Sequence, residues 1–239
     1  MATPGSIPAV LDMFRNEVRF YRELAGVVGV RVPACAAAVD GPAGTRLELE
    51  DLSAWTEGGD PVAVAAVLRS LHDRFAGRTG EWPWLRVAGV GAELIAALYD
   101  RTWPTVAERT SGAVRRLGES LVGRVVEHEH AEAHGGPVTL IHGDASLHNV
   151  RTSPDGEIAL LDWEDVRASS GTVDLAWLLL SSVEPARWSS VIDAYGAPMD
   201  DLRVVLPSSA AQAVLSMADA NDPQPWLARL GVAAELLGF

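Results

Sequence analysis

The chain has 239 residues, 48% of them hydrophobic and 21% charged, the balance of an ordinary soluble globular protein rather than of a fibre or a disordered chain. Its net charge of −13 argues against nucleic acid as a partner, because phosphate backbones demand basic patches, and is compatible with a cationic small molecule. All 19 positive residues are arginine, so chemistry that needs a lysine is closed to this sequence.

A single cysteine, Cys35, rules out an intramolecular disulfide, and its apolar neighbours predict a buried structural thiol. The first positive charge is Arg15, which leaves no basic leader segment, and the longest apolar stretch, 25–39, is interrupted by Arg31 and Pro33. These features predict a soluble, cytoplasmic protein without a membrane partner.

Residues 8–25 place Val10, Leu11, Phe14, Val18, Tyr21 and Leu24 on one broad face, the spacing of an amphipathic helix. Strand-like runs at 30–39 and 46–52 flank a Gly/Pro turn and predict a hairpin. A polar, Gly-rich connector at 56–60 marks the boundary between a small N-terminal lobe, 1–55, and a larger C-terminal lobe, 56–239. Asp60 followed by Pro61 is a helix start, and Gly77 stops that helix. Further helices are predicted over 91–109, 112–131, 173–181, 185–194, 208–218 and 225–237. Two short β-runs, 138–141 and 157–161, interrupt them and are expected to form an inserted hairpin. The fold class is therefore α+β.

The chemistry concentrates in Ile141-His142-Gly143-Asp144-Ala145-Ser146-Leu147-His148-Asn149 and in Asp162-Trp163-Glu164. A strand–loop–strand of that length brings Asp144, Asn149 and Asp162 to one mouth. Phosphoryl transfer needs such a set: one carboxylate to accept a hydroxyl proton, an amide and a second carboxylate to hold Mg²⁺ against phosphates. Two other clusters carry weaker signals. Glu127 to His134 resembles a metal tract but lacks the His-Glu-x-x-His spacing, and is read as a solvated helix end. Trp82 and Trp84 are read as core anchors rather than a cage for a cation. No nucleophile elbow and no dinucleotide-binding glycine fingerprint is present.

These motifs resemble those of the aminoglycoside phosphotransferase and choline/ecdysteroid-kinase-like family, small-molecule relatives of the protein kinases. His142-Gly143-Asp144 with Asn149 is similar to that family's catalytic loop, and Asp162-Trp163-Glu164 to its metal-binding motif. The segment 171–179, the Leu-x-x-Leu-His run ending at His72, the Glu17 helix and the strand 47–52 are similar to further family segments, so the likeness runs from about 13 to 194. It implies a protein-kinase-like fold and a small-molecule substrate, with Mg²⁺ and ATP as cofactors. It implies Asp144 as base, His142 as a hydrogen-bonding support, and Asn149, Asp162 and Glu164 as metal ligands. Glu17, Glu50, Asp51 and Leu52 would face the nucleotide, and Asp174 would tie the loop down. His72 is read as a packed histidine.

The sequence departs from that family in one respect. Only about a dozen residues precede the Glu17 helix, where the family has strands with a Gly-rich phosphate cover and an ATP-anchoring lysine. Residues 2–8 contain a single glycine, and Glu17 has no lysine to pair with. Three readings follow: a longer kinase of which this is a truncated form; a reduced enzyme, with a partner chain or dimer completing the N-terminal lobe; and a repurposed, ATP-independent enzyme or binding protein with a closed, apolar cleft.

Overall fold

The computed structural model describes residues 7–42 and 44–239. Residues 2–6 of the expected glycine-poor leader and Ala43 of the hairpin turn lie outside the described residues.

The first helix is shorter and more broken than its periodicity predicts. It comprises α1 (Ile7–Val10) and α2 (Met13–Arg19), which continues into a π-helical turn over Phe20–Leu24. The break falls at Asp12, whose backbone is left-handed (φ +53°), a conformation that ends a helical turn. Val18, Phe20 and Leu24 are buried completely, whereas Val10 and Phe14, expected on the core face, are exposed because the break rotates them outward.

β1 (Cys35–Gly41) and β2 (Gly44–Leu49) form the expected antiparallel hairpin as a sheet of two strands. It starts later than predicted because Pro33 brings no N–H to a ladder. Arg31 instead bridges to Ala159 in the other lobe. Cys35 is only half-buried, not buried as expected, since nothing covers both faces of a two-stranded sheet.

The larger lobe opens with β3 (Thr56–Glu57) and α3 (Pro61–Phe75). Proline in the first turn costs that helix no hydrogen bond, and Val64, Leu68, Leu71 and Phe75 bury one stripe of it. β4 (Arg86–Val87) leads into α4 (Ala92–Ala107), α5 (Gly112–Leu121) and α6 (Val125–Ala131). The single helix expected over 112–131 is thus two, split where Gly123 adopts φ +70°. Strands β5 (Val138–Ile141), β6 (Val150–Thr152), β7 (Ile158–Leu160) and β8 (Arg167–Ser170) follow, then α7 (Thr172–Ser182), α8 (Trp188–Tyr195), α9 (Met199–Ala218) and α10 (Gln224–Leu236). The helix α9 begins well before the predicted 208, because burial of Leu202, Val205 and Leu206 outweighs the break that Pro207 signals.

The strand pairing differs from the expected hairpin. The runs 138–141 and 157–161 do not pair with each other: β5 pairs antiparallel with β8, and β7 with β6. Three-stranded sheets of order β4-β8-β5 and β3-β6-β7 result. The second includes β3 at the start of the lobe, and β7 also receives the Arg31 bridge. The site loop therefore crosses from one small sheet to another, which spreads its functional residues over two fixed platforms.

One hydrophobic core joins the segments. Phe20 stacks on Trp163 with ring centroids 4.0 Å apart and planes 7° apart, and both rings are wholly buried. Trp82 packs at 5.5 Å from Phe75, as expected of a core anchor, while Trp84 donates its Nε1–H to Glu23 at 2.8 Å. No helix of the described residues is long and apolar enough to cross a membrane. Phe20→Ala is expected to destabilise the fold by about 3–5 kcal/mol, measured by denaturant unfolding, with a single transition retained because both segments share that core.

Candidate active site

Strand β5 ends at Ile141, and the chain then turns sharply through Gly143 (φ +89°). A side chain at 143 would bring its Cβ within 2.3 Å of the Asp165 carbonyl oxygen, so the close approach of the two loops requires glycine. The turn is clamped from below by Asp174 in the first turn of α7. Its Oδ2 accepts the His142 N–H at 2.7 Å and its Oδ1 the Gly143 N–H at 2.9 Å. His72 Nε2 lies 3.0 Å from the same Oδ2, and His72 Nδ1 is 2.7 Å from the Tyr195 hydroxyl. Asp174 is fully buried, yet its carboxyl lies below the usual carboxylate range: burial opposes ionisation, and these donors with the two histidines outweigh it. His72 is thus the packed histidine expected, and it supports the loop through Asp174.

The side chain of His142 is also buried, with Nε2 donating to the Leu161 carbonyl at 2.8 Å. Its Nδ1 accepts the Asp144 N–H at 3.3 Å, so the ring links the two loops. The Leu161 N–H in turn donates to the Asn149 carbonyl at 2.8 Å. Asp144 and Asn149 meet directly: the Asn149 amide nitrogen donates to Asp144 Oδ2 at 2.9 Å and to its backbone carbonyl at 3.0 Å. Trp177, on α7, donates Nε1–H to Asp144 Oδ1 at 2.5 Å. Asp144 is therefore oriented by two donors, and each of its oxygens keeps a lone pair free. Trp177 carries no role in the sequence reading; its only signal there is its place three residues after Asp174.

Asp162 follows β7 and sits in the left-handed region (φ +61°), a strained conformation for a residue with a side chain. Its carboxyl is pushed up by burial first; the attraction of His142 works against this and the repulsion of Asp144 adds to it. Glu164 is raised too, by burial and then by Asp162 and Asp165. Glu17 is pushed up to about 7, by burial first and then by Asp162. Without a lysine, Glu17 faces the Asp162–Trp163 backbone and adds its charge to an acidic centre.

The expected residues distribute over two cavities on either side of this centre. Glu17, Glu50, Asp51, Leu52, Asn149 and Asp162 line one of about 520 Å³. Asp144 and Glu164 line the other, of about 270 Å³. Within the first, Glu50 is tied to Arg31 at 2.6 and 2.7 Å and accepts the Ala34 N–H at 2.9 Å, which lowers its carboxyl. Asp51 is lowered by the Ser53 N–H it accepts at 2.8 Å. Glu50 thus ties the segment after β2 to Arg31, while Asp51 closes a local turn with Ser53.

The donors present fit a magnesium ion. Asn149 uses its amide nitrogen on Asp144, which leaves its oxygen, and Asp162 offers a carboxylate in surroundings short of positive charge. Among the described residues no three His, Cys, Asp or Glu side chains converge to cage an ion.

Residues 6–203 match the model of the phosphotransferase enzyme family, APH. The chain belongs to that family. Among solved structures, a choline/ethanolamine kinase family protein from Mesorhizobium loti superposes with a TM-score of 0.61 at 16% identity, over 95% of this chain and 79% of that one. Choline kinase LicA from Streptococcus pneumoniae gives 0.54 at 17% identity, over 94% and 80%. A GDP complex of an aminoglycoside 2'-phosphotransferase of type IIIa gives 0.57 at 17% identity, over 98% and 83%. At these identities the likeness establishes the fold, which is the protein-kinase-like α+β arrangement with a reduced N-terminal lobe.

The tract 127–134 departs from its reading as a solvated helix end. Glu127 is exposed and pairs with Arg124, but Glu129 and Glu132 are buried and line the Asp144 cavity. Their spacing of three residues puts them on one helical face, a signal masked by the surrounding histidines.

The raised Glu17 has a measurable consequence. An acid whose folded value lies above its unfolded value of 4.5 opposes folding as pH rises from there through about 7. Glu17→Gln is therefore expected to gain stability relative to the parent chain across that window, by at most about 1.4 kcal/mol per pH unit, with a constant difference below it. Urea unfolding at a series of pH values reads this directly.

Proposed function

We propose that this member of the phosphotransferase family transfers the terminal phosphoryl group of ATP to a hydroxyl of a small molecule, with Asp144 as the base. The observation that carries the reading is the Asp144–Asn149 pair, locked by Trp177 and by the Asp174 clamp, between two cavities that converge on it. The larger cavity is assigned to the nucleotide, with the backbone of 50–53 toward the base; complexes of LicA with AMP and of the type IIIa enzyme with GDP, on the same fold, support it. The smaller is assigned to the acceptor. On this reading residues 1–55 form the nucleotide-facing lobe and 56–239 the catalytic lobe, and the setting is the nucleotide-rich cytoplasm.

The acceptor hydroxyl sits against a free lone pair of Asp144. As its oxygen bonds to the terminal phosphorus, the bond from that phosphorus to the bridging oxygen breaks and the hydroxyl proton passes to Asp144. Asn149 and Asp162 are the residues to hold Mg²⁺, with Glu164 beside them for a second ion; when bound, the metal neutralises charge on the transferring phosphates. His142 stays outside the proton path, since both its ring nitrogens are engaged by backbone.

The absence of lysine favours the alternative, an ATP-independent enzyme or binding protein. That reading calls for a closed, apolar cleft, whereas the cavity beside Glu17 carries Asp162, Asn149, Asp51 and Arg151 on its walls. Calorimetry with Mg·ATP at millimolar nucleotide separates the two: no heat of binding overturns the phosphotransfer reading. Given a phosphorylated acceptor, Asp144→Asn is expected to lower kcat by about 10²–10⁴-fold. Trp177→Phe, which removes one donor to the base, is expected to lower it by about tenfold with KM for nucleotide unchanged, both variants keeping the parent's circular dichroism.

A further inference from the structure

The Asp144 cavity holds an excess of buried negative charge at the end formed by α6, β8 and α9. Two guanidiniums line it, and both turn to one carboxylate: Arg86 and Arg167 each pair with Asp165, Arg167 at 2.5 Å. Little is left for the other acids. Glu132 is 1% exposed; its Oε2 has only long contacts, 3.4 Å to Arg167 and 3.5 Å to Ser169, and its Oε1 has no partner among the described residues. Glu129 is 6% exposed, and its side-chain hydrogen bond is a long one, 3.4 Å from the Gln212 amide. No guanidinium among the described residues comes within ion-pairing distance of Glu129.

Two buried carboxylates served this poorly are costly unless something cationic joins them. A proton is one remedy. Burial first, and then the neighbouring Glu132, push Glu129 up to about 7, with Arg167 and Gln212 acting against this and Asp165 adding to it. A ligand is the other, because these side chains line the cavity that reaches Asp144. An ammonium group with N–H bonds supplies both a positive charge and the donors that Glu132 Oε1 lacks. A quaternary ammonium supplies no donor, and among the described residues Trp177 is the single aromatic side chain lining this cavity, where a cage needs several ring faces.

We infer that Glu129, Glu132 and Gln212 form a subsite for one protonated primary or secondary amine of the acceptor, and that this subsite discriminates against fully methylated ammonium. The inference rests on the phosphotransfer reading only for the word acceptor; the subsite itself binds without nucleotide.

The test is calorimetric titration of the nucleotide-free protein with three probes of one shape: cyclohexylamine, N,N,N-trimethylcyclohexylammonium and cyclohexanol. Cyclohexylamine is expected to bind at roughly millimolar Kd and at least about tenfold tighter than either of the others. Glu129→Gln and Glu132→Gln should each remove that preference while Mg·ATP binding, measured on the same samples, is unchanged. Equal binding of the three probes to the parent chain, no binding of the amine, or a preference that survives both substitutions overturns the inference. Should Glu132→Gln unfold through loss of its Arg167 contact, Glu129→Gln decides, and the amine-against-trimethyl comparison in the parent chain decides without any substitution. Failure of phosphotransfer shows instead as absent Mg·ATP binding with the amine preference intact.

Discussion

The buried carboxylate of Asp174 is the interaction on which the rest of the site depends. It accepts two consecutive backbone N–H groups of the loop and the ring of His72, so three elements distant in sequence meet on one group with no exposure to water. A charge in that position is tolerable only when both oxygens are hydrogen-bonded, and here Oδ2 takes two partners and Oδ1 one. The same constraint explains Gly143 and Gly171. A Cβ at 143 would strike Asp165, and one at 171 would come within 2.6 Å of His72 and 2.5 Å of the Tyr195 hydroxyl. With the backbone pinned there, the Asp144 carboxylate has one place to be, and Trp177 and Asn149 meet it there.

Around this clamp the structure gathers negative charge rather than dispersing it. Burial raises Asp162, Glu164 and Glu17, and the charge of Asp162 adds to the rise of the other two; in the Asp144 cavity burial and then Glu132 raise Glu129. Such crowding destabilises the fold by itself, which is the usual mark of a site built for cationic ligands rather than for stability. The arginines relieve it only in part: Arg31 braces Glu50, and Arg86 and Arg167 both close on Asp165, which leaves Arg167 a long 3.4 Å contact to Glu132. The charge left over is what a metal ion on one side and an ammonium on the other would neutralise.

The small lobe is held by packing against the rest of the chain. Its two-stranded hairpin has no core of its own; the helix beneath it is anchored by Phe20 on Trp163, the residue directly after Asp162. Asp162 and the Glu17 helix are therefore mechanically joined, and a shift of one is felt by the other through packed rings rather than through a salt bridge.

Several features were legible in the residues alone. The α+β class, most helices of the larger lobe and the meeting of Asp144 with Asn149 follow from local periodicity, turn chemistry and spacing within one loop, all properties of short stretches of chain. The absence of lysine is likewise a fact of composition. Which strands pair was not legible: β5 and β7 are each short and apolar, and β5, packed on α3, takes β8 as its neighbour. Nor could spacing show that Trp177 reaches Asp144, that Glu129 and Glu132 turn inward, or that Val10 and Phe14 turn outward. Those outcomes depend on where a helix lies against its neighbours, and periodicity specifies a face without specifying what it faces.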